Sequence, residues 1–283
     1  IQHNYVNGVS RVSILEGAYK DATVERISLQ PGADFSAELY TREQHNQVFL
    51  ITAGKGYIVR TAPYVVVVGG VNLDIGGRPH GELVAADSNP GQVRMSLGGV
   101  GRNIAHNMAL MGLDVRMLTA FGDDMNAQRI AASCGELGID ISHCRHFEGE
   151  NGFAMVTLKG NDRVFLGSNK GGVAKEHSFD FTQEDLEYIK GFNLIYTNLN
   201  SYIEEDLPFL HTAGVPIAYD FSTRWTDAYL EKVCPYVTVA ILSCAHLSAE
   251  DRAREMQKAA DHGVSIVLGT IGEDGSYVLY NGK

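Results

Sequence analysis

Asp74 stands where a carboxylate could bind a ligand that carries several hydroxyl groups. It closely follows the apolar run Val65–Gly70. In α/β sheets, ligands bind outside the carboxyl ends of the strands. A carboxylate at that edge can accept hydrogen bonds from two hydroxyl groups of a sugar. The alternative interpretation is that Asp74 only caps a turn.

A glycine-rich stretch, Gly98–Asn103 (GGVGRN), precedes a helical pattern and could approach the same ligand. Glycines let the backbone come close because they carry no Cβ, and free N–H groups at a helix start point into the same space. A dinucleotide fingerprint needs a third glycine or alanine where this chain has Ile104, and a buried strand where Gln92–Leu97 is half polar. A glycine-rich turn without a ligand is another alternative.

The spacing of Gly99 and Asn103 resembles the sugar-binding turn of the PfkB/ribokinase family, in which an Asn follows a Gly-Gly pair by four residues. That family also carries an Asp at the position of Asp74. The resemblance implies that Asp74 and Asn103 bind sugar hydroxyl groups and that Gly98 and Gly99 allow close approach. The front of this region is similar to pseudouridine kinases.

The later part of the chain resembles a different branch of the same family, the fructoselysine 6-kinases. The matching pieces are Gly138–His143, Asn161–Phe165, Tyr219–Ser222 and Trp225. We therefore expect either a divergent family member or a recombined chain. By the same resemblance, the stretch from Ile75 to Met95, with 152–158 and 163–167, forms a β lid that excludes water when it closes. An ordinary surface meander is the alternative, and a homodimer through the lid is a further hypothesis.

The segment Thr270–Gly275 (TIGEDG) resembles the family's Thr-x-Gly-x-x-Gly turn beside the ATP phosphates. The hydroxyl of Thr270 and the amides of Gly272 and Gly275 could bind anionic oxygens, although Gly272-x-x-Gly275 also fits a plain hairpin turn. The implied cofactors are ATP and Mg²⁺. The family's Asn-x-x-Glu turn is replaced here by Ser243–His246 (SCAH), so we assign no residue to a metal.

The family's catalytic base lies in a Gly-Ala-Gly-Asp motif, expected some tens of residues beyond Gly275. That motif does not occur up to Lys283, so we expect the base to lie outside this sequence, and the catalytic residue stays unknown. Three hypotheses follow. The chain is an ATP-dependent kinase of a hydroxymethyl group on a nucleoside or sugar derivative, a non-catalytic sugar- or nucleoside-binding module, or a chimeric fragment without activity.

The elements that must position these residues alternate between strands and helices from residue 63 onward. Tyr64–Val68 is a continuous apolar run, which is typical of a strand buried in a parallel sheet. Asp123 or Asp124 could cap a helix that ends near Leu137, and Thr182 and Ser248 each begin a capping-box pattern. The predicted fold of residues 63–283 is a ribokinase-like α/β sandwich with a mainly parallel sheet and a small β lid. Further strands are predicted at 91–96, 115–120, 153–158, 163–166, 193–197, 215–219, 237–242, 264–268 and 276–280, and a further helix at 103–111.

Residues 1–62 have a different pattern, with short β-rich runs such as Val24–Leu29 broken by Pro31-Gly32. This predicts a short all-β segment, and it resembles the first half of a cupin barrel. Gln47 replaces the metal-binding Glu of cupins and only His45 lies nearby, so we expect no metal site.

Composition excludes some classes of function. The formal net charge is −11 at pH 7, which argues against nucleic-acid binding because that usually needs a basic face. No apolar run reaches the ~20 residues of a membrane helix. The four cysteines form no CxxC pair, which favours reduced thiols and a cytoplasmic location. The first residue is Ile rather than Met, which is expected of a processed chain or a fragment.

Overall fold

The computed structural model describes residues 64–282, except 83, 85, 86, 160, 161 and 178 and the side chains of 158–165, together with the backbone of 9–15 and 24–29. The chain divides into two compact units, Ile1–Val59 and Arg60–Lys283. In the first unit, β1 (Val9–Leu15) pairs antiparallel with β2 (Val24–Leu29). The predicted strand Val24–Leu29 is thus confirmed. The rest of the cupin-like pattern, including His45 and Gln47, lies outside the described residues.

The second unit is built on a seven-stranded sheet with the order β15-β14-β13-β12-β11-β3-β6. The first six strands along the chain run parallel, and the last pairs antiparallel with its neighbour. The sheet is therefore mixed and mostly parallel, as predicted. Its members are β3 (Tyr64–Val68), β6 (Asp114–Leu118), β11 (Leu194–Asn198), β12 (Ile217–Ser222), β13 (Val239–Ser243), β14 (Ile266–Thr270) and β15 (Ser276–Tyr280).

Helices cover both faces of this sheet. None of them, in the part of the chain that is described, is long and apolar enough to cross a bilayer. They are α1 (Val100–Leu110), α2 (Met125–Glu136), α3 (Val173–Glu176), α4 (Gln183–Ile189), α5 (Leu207–His211), α6 (Asp227–Val233) and α7 (Ala249–Asp261).

The valines of β3 join two separate cores. Val65 and Val67 pack with buried residues of α1 and α2 on one face of the sheet. Val66 and Val68 pack with buried residues of α4 to α7 on the other face. Successive side chains of a strand point to opposite faces, so a strand covered on both sides has to be apolar at every position. This is why the unbroken apolar run predicted the strand.

A second sheet of four strands has the order β10-β9-β4-β5, and we call it the lid sheet. The middle strand β4 pairs antiparallel with β5 and parallel with β9. The segments predicted for the β lid thus form one sheet. The strands are β4 (Asn72–Pro79), β5 (Gly91–Gly98), β9 (Gly152–Lys159) and β10 (Asp162–Ser168), and a separate short pair consists of β7 (Ala120–Phe121) and β8 (Arg145–His146).

Side chains cap three helices at the predicted positions. Asp124 caps α2 by accepting a hydrogen bond of 2.8 Å from the backbone N–H three residues on. Thr182 and Asp185 form a complete capping box at the start of α4. Ser248 accepts a 3.1 Å hydrogen bond from the backbone N–H of Asp251 and so caps α7. These caps satisfy N–H groups that the first helical turn leaves free.

Candidate functional site

The parallel strands of the central sheet end along one edge. The chain leaves β3 toward β6 on one side and later returns to β11 on the other, which makes the end of β3 a topological switch point, the usual position of a ligand in an open α/β sheet. A cavity of about 100 Å³ opens at this point. Its walls come from the segments that follow β3, β6 and β11 and from α3, and include Gly70, Thr119, Lys175 and Ser201.

Asp74 lies on β4, just beyond this switch point. Its carboxylate lies directly against Gly98, where an added Cβ would be 2.5 Å from Oδ2. Asn72 Nδ2 donates a hydrogen bond of 2.9 Å to Asp74 Oδ1. Gly98 was predicted to allow the close approach of a ligand, and here the close approach is made by the carboxylate of Asp74 itself. Position 98 must therefore lack a side chain for Asp74 to keep this place.

The other glycines of the GGVGRN stretch pack the start of α1 against the loop after β3. Gly99 has φ +90°, and an added Cβ would be 2.6 Å from the carbonyl oxygen of Gly70. A Cβ on Gly101 would be 2.8 Å from the Cα of Gly69. The backbone N–H of Asn103 donates a 2.9 Å hydrogen bond to the carbonyl of Gly99 and begins the helical pattern. These contacts leave no room for larger residues at positions 99 and 101.

Asn103 lies in the first turn of α1, and its side chain is exposed. The guanidinium of Arg102 donates a 3.4 Å hydrogen bond to Asn103 Oδ1. No hydrogen bond among the described residues joins Asn103 to Asp74. The two predicted sugar-binding residues thus lie on either side of the Gly98-Gly99 pair, since the Asp74 carboxylate contacts Gly98 and Asn103 follows Gly99 in the first turn of α1. Their convergence on one ligand stays a prediction.

A further carboxylate at the same edge was not predicted as a site residue. Asp220 lies on β12 and accepts hydrogen bonds from Tyr196 Oη at 3.3 Å and from the backbone N–H of Ser222 at 2.8 Å. Burial raises the pKa of Asp220, and the bond from Ser222 opposes that shift. The resemblance in 219–222 had indicated the segment, but only its fold gives Asp220 these partners.

The predicted nucleotide-binding segment forms the connection between β14 and β15. Thr270 donates a hydrogen bond of 3.4 Å to the carbonyl of Leu242. Gly272 and Gly275 have φ values of +68° and +100°, and an added Cβ on either would meet no atom within 4 Å. The segment is therefore a tight hairpin turn with open space beside both glycines. Phosphate binding by Thr270, Gly272 and Gly275 stays a prediction.

In the part of the chain that the structure describes, side chains alone form no site for Mg²⁺, whereas Mg²⁺ that accompanies nucleotide phosphates needs only one or two carboxylates. Within the described residues, no group of three or more His, Cys, Asp or Glu side chains is placed to hold a metal ion. The residues that follow β13 include Cys244, which is buried and whose backbone N–H donates a 2.7 Å hydrogen bond to the carbonyl of Thr270. Hard divalent ions prefer carboxylate and carbonyl oxygens, so we assign no chemical step to a metal here.

Comparison with known proteins places residues 62–283 within a family described as pfkB family carbohydrate kinase. Fructosamine kinase FrlD of Bacillus subtilis (strain 168) is 34% identical over 180 residues, which is 63% of this chain and 63% of that protein. Pseudouridine kinase of Escherichia coli (strain K12) is 28% identical over 231 residues, 77% of this chain and 74% of that protein. The match to FrlD thus covers less than two thirds of either protein.

Solved structures share the fold. The structure of Arabidopsis thaliana ribokinase complexed with ribose and ATP has a TM-score of 0.68 and 20% sequence identity, with 78% of this chain and 76% of that chain covered. The predicted ribokinase-like fold is therefore confirmed. Fructoselysine 6-kinase of Escherichia coli (strain K12), at 28% identity over 179 residues, is also among the relatives, with 63% of this chain and 67% of that protein covered. The chain belongs to the pfkB family of carbohydrate kinases.

Proposed function

We propose that this chain binds a sugar or nucleoside derivative at Asp74 and that its function is the ATP-dependent phosphorylation of a hydroxymethyl group on that ligand. The observation that carries the proposal is the carboxylate of Asp74, held against Gly98 and oriented by Asn72. Relatives named as pseudouridine kinase and fructoselysine 6-kinase support a ligand of one of these two kinds.

The chemistry of Asp74 suits hydroxyl groups. One of its oxygens accepts the hydrogen bond from Asn72. The other, Oδ2, receives no hydrogen bond from any described residue, so its lone pairs are free for a ligand. Hydroxyl groups that donate to an ionised carboxylate form charge-assisted bonds, which are about twice as strong as neutral ones. Asp74 together with the amide of Asn103 would thus fix the orientation of a sugar ring.

Phosphoryl transfer then requires a nucleotide beside the bound hydroxymethyl group. The ligand oxygen forms a bond to the γ-phosphorus, the bond to the leaving ADP oxygen breaks, and the hydroxyl proton passes to a base. Catalysis of this reaction consists mainly of positioning and charge stabilisation. We propose Thr270, Gly272 and Gly275 for the nucleotide phosphates, and we assign the base to no residue of this chain.

Calorimetric titration with pseudouridine and with fructoselysine tests the proposal. At least one should bind, and Asp74→Ala should abolish binding. Asp261→Asn is a matched control, because it removes an acidic charge from the exposed face of α7, and it should bind as the wild type does. ATP consumption in the presence of the ligand supports the kinase, whereas binding without turnover supports a non-catalytic binding module. If neither ligand binds, the proposal is wrong.

The lid sheet also supports a proposal about assembly. Val93, Met95 and Met155 lie on one face of it and are 70%, 60% and 43% exposed. Exposed apolar clusters often mark protein interfaces, so we propose that two chains associate through this face. Light scattering should report a dimer, and Met95→Glu should give a monomer. The four free cysteines support our proposal of a cytoplasmic location.

A further inference from the structure

The lid sheet meets the central sheet at a junction centred on Asn151. This residue precedes β9 and is 1% exposed. Its side chain accepts a 3.2 Å hydrogen bond from the backbone N–H of Gly122 and donates a 3.3 Å bond to the carbonyl of Val71. One amide group therefore links the segment after β7 to the segment that enters β4.

The main chain of Asn151 is held as well. Its N–H donates a 3.0 Å hydrogen bond to Oδ2 of Asp124, whose Oδ1 caps α2. Its carbonyl accepts a 2.9 Å bond from the side chain of Asn169, at the exit from β10. Asn151 is thus bonded at all four of its polar groups, to three different segments around the lid sheet.

Packing at this junction is tight. A Cβ on Gly122 would be 2.8 Å from the backbone nitrogen of Asn151. A Cβ on Gly172, which has φ +55°, would be 2.8 Å from the carbonyl carbon of Asn151. Both contacts are shorter than real Cβ atoms tolerate. The glycines on either side let the backbone segments close around Asn151, which leaves its side chain little freedom to move.

The junction continues directly to Asp74. Asn151 bonds to Val71, and the next residue, Asn72, is paired with Gly152. A Cβ on Gly152 would lie 2.6 Å from Oδ1 of Asn72. Because residue 152 is a glycine, the side chain of Asn72 can occupy this position. The Nδ2 of the same amide donates to Asp74 Oδ1. Val71 and Asn72 therefore connect Asn151 to the carboxylate.

We propose that Asn151 is a positioning residue that orients the carboxylate of Asp74 for ligand hydroxyl groups, through Val71 and Asn72. Asp124 extends this link to the start of α2. The inference rests on the proposed function, because it concerns the affinity of the site described there. It adds a residue that touches no ligand and that acts through the entry to the lid sheet.

Hydrogen exchange tests the link without a ligand. Asn151→Ala should raise exchange rates about tenfold at the amides of residues 72–77. Asp124→Asn should do the same more weakly, because the amide can keep its bond to α2 but not the one from Asn151. Thr226→Ala removes a comparable side-chain cap from α6, and its effect should be confined to α6. Unchanged exchange at 72–77 in both junction variants overturns the proposal.

A double-mutant cycle in ligand affinity separates positioning from general destabilisation. Asn151→Ala and Asn72→Ala should each weaken binding about tenfold, which is ~1.4 kcal/mol. Because they act in series, the double variant should also lose about tenfold rather than a hundredfold. A hundredfold loss, or wild-type affinity of Asn151→Ala, overturns the inference while the proposed function stands. If the wild type binds neither pseudouridine nor fructoselysine, the proposed function fails, and the exchange rates alone decide whether Asn151 holds β4.

Discussion

Gly98→Ala tests whether ligand affinity depends on the position of the Asp74 carboxylate. Among the described residues, the three atoms nearest to an added Cβ at this position all belong to the side chain of Asp74. Gly98 is not among the residues with positive φ, so its backbone conformation is open to alanine. The closest contacts that the substitution would create are therefore with Asp74.

The magnitude follows from the distances. The Cβ would lie 2.5 Å from Asp74 Oδ2, so the oxygen must retreat by about 0.9 Å to reach the 3.4 Å at which ordinary contact begins. That movement breaks the alignment with the ligand and with Asn72. A hydrogen bond to a charged group contributes about 1.5–3 kcal/mol, so affinity for the sugar or nucleoside should fall roughly 10- to 150-fold. Stability should fall by no more than the ~0.5–1.5 kcal/mol of a distorted rotamer.

Calorimetric titration and thermal unfolding of the same variants measure both effects. Gly135→Ala is the matched control, because Gly135 lies within α2 and an added Cβ meets nothing within 4 Å. It should raise the free energy of unfolding by ~0.5–1 kcal/mol and leave affinity unchanged. The variant that combines Gly98→Ala with Asp74→Ala should be as stable as Asp74→Ala alone, since the clash is gone. Wild-type affinity of Gly98→Ala would refute the assigned place of the carboxylate.

Three further predictions concern stability and reactivity. Asp185 is 4% exposed, completes the capping box of α4 and lies 2.6 Å from the partly exposed Arg145, so Asp185→Ala should lower the free energy of unfolding in urea by about 1–3 kcal/mol, whereas truncation of the exposed Glu187 should leave it almost unchanged. Burial raises the pKa of Cys144 to about 12, so this thiol should resist Ellman's reagent at pH 8 until guanidinium unfolds the chain; rapid labelling of the native protein would contradict this. Because burial raises the pKa of Asp220 above 3.8, the native state holds the proton more tightly than the unfolded chain does, and stability is lost as pH rises between the two pKa values. The Asp220→Asn variant should therefore have a higher melting temperature than the wild type at pH 7 and the same melting temperature near pH 4. Equal melting temperatures of variant and wild type at both pH values would disprove the raised pKa of Asp220.

Much of the fold could be predicted because its strands are buried on both faces. The run Tyr64–Val68 coincides with β3, and the predicted strand at 193–197 lies within one residue of β11. Asp124 and Thr182 predicted the starts of two helices, because each side chain accepts a hydrogen bond from the backbone N–H three residues further along the chain. These signals are local, so a single sequence contains them.

The missed features depend on contacts between distant segments. β4 (Asn72–Pro79) was predicted only in part, as the start of the lid at Ile75, because its two adjacent glycines and final proline do not look like a strand, and pairing with β5 and β9 determines it. Asn151 lies in a polar loop with no pattern around it, and its partner Val71 is 80 residues away. The contact between Gly98 and the side chain of Asp74 was not predicted, because only the fold reveals it, and the close approach of a ligand to Gly98 stays a prediction.

The central claim is that Asp74 and Asn103 bind the same sugar or nucleoside ligand. A crystal structure of the chain with pseudouridine or fructoselysine bound measures this directly. We predict a ligand hydroxyl within ~3.2 Å of the free oxygen of Asp74 and a second ligand atom at hydrogen-bond distance from Asn103. A ligand bound at another site, or one that leaves Asp74 in contact only with Asn72, would contradict the account.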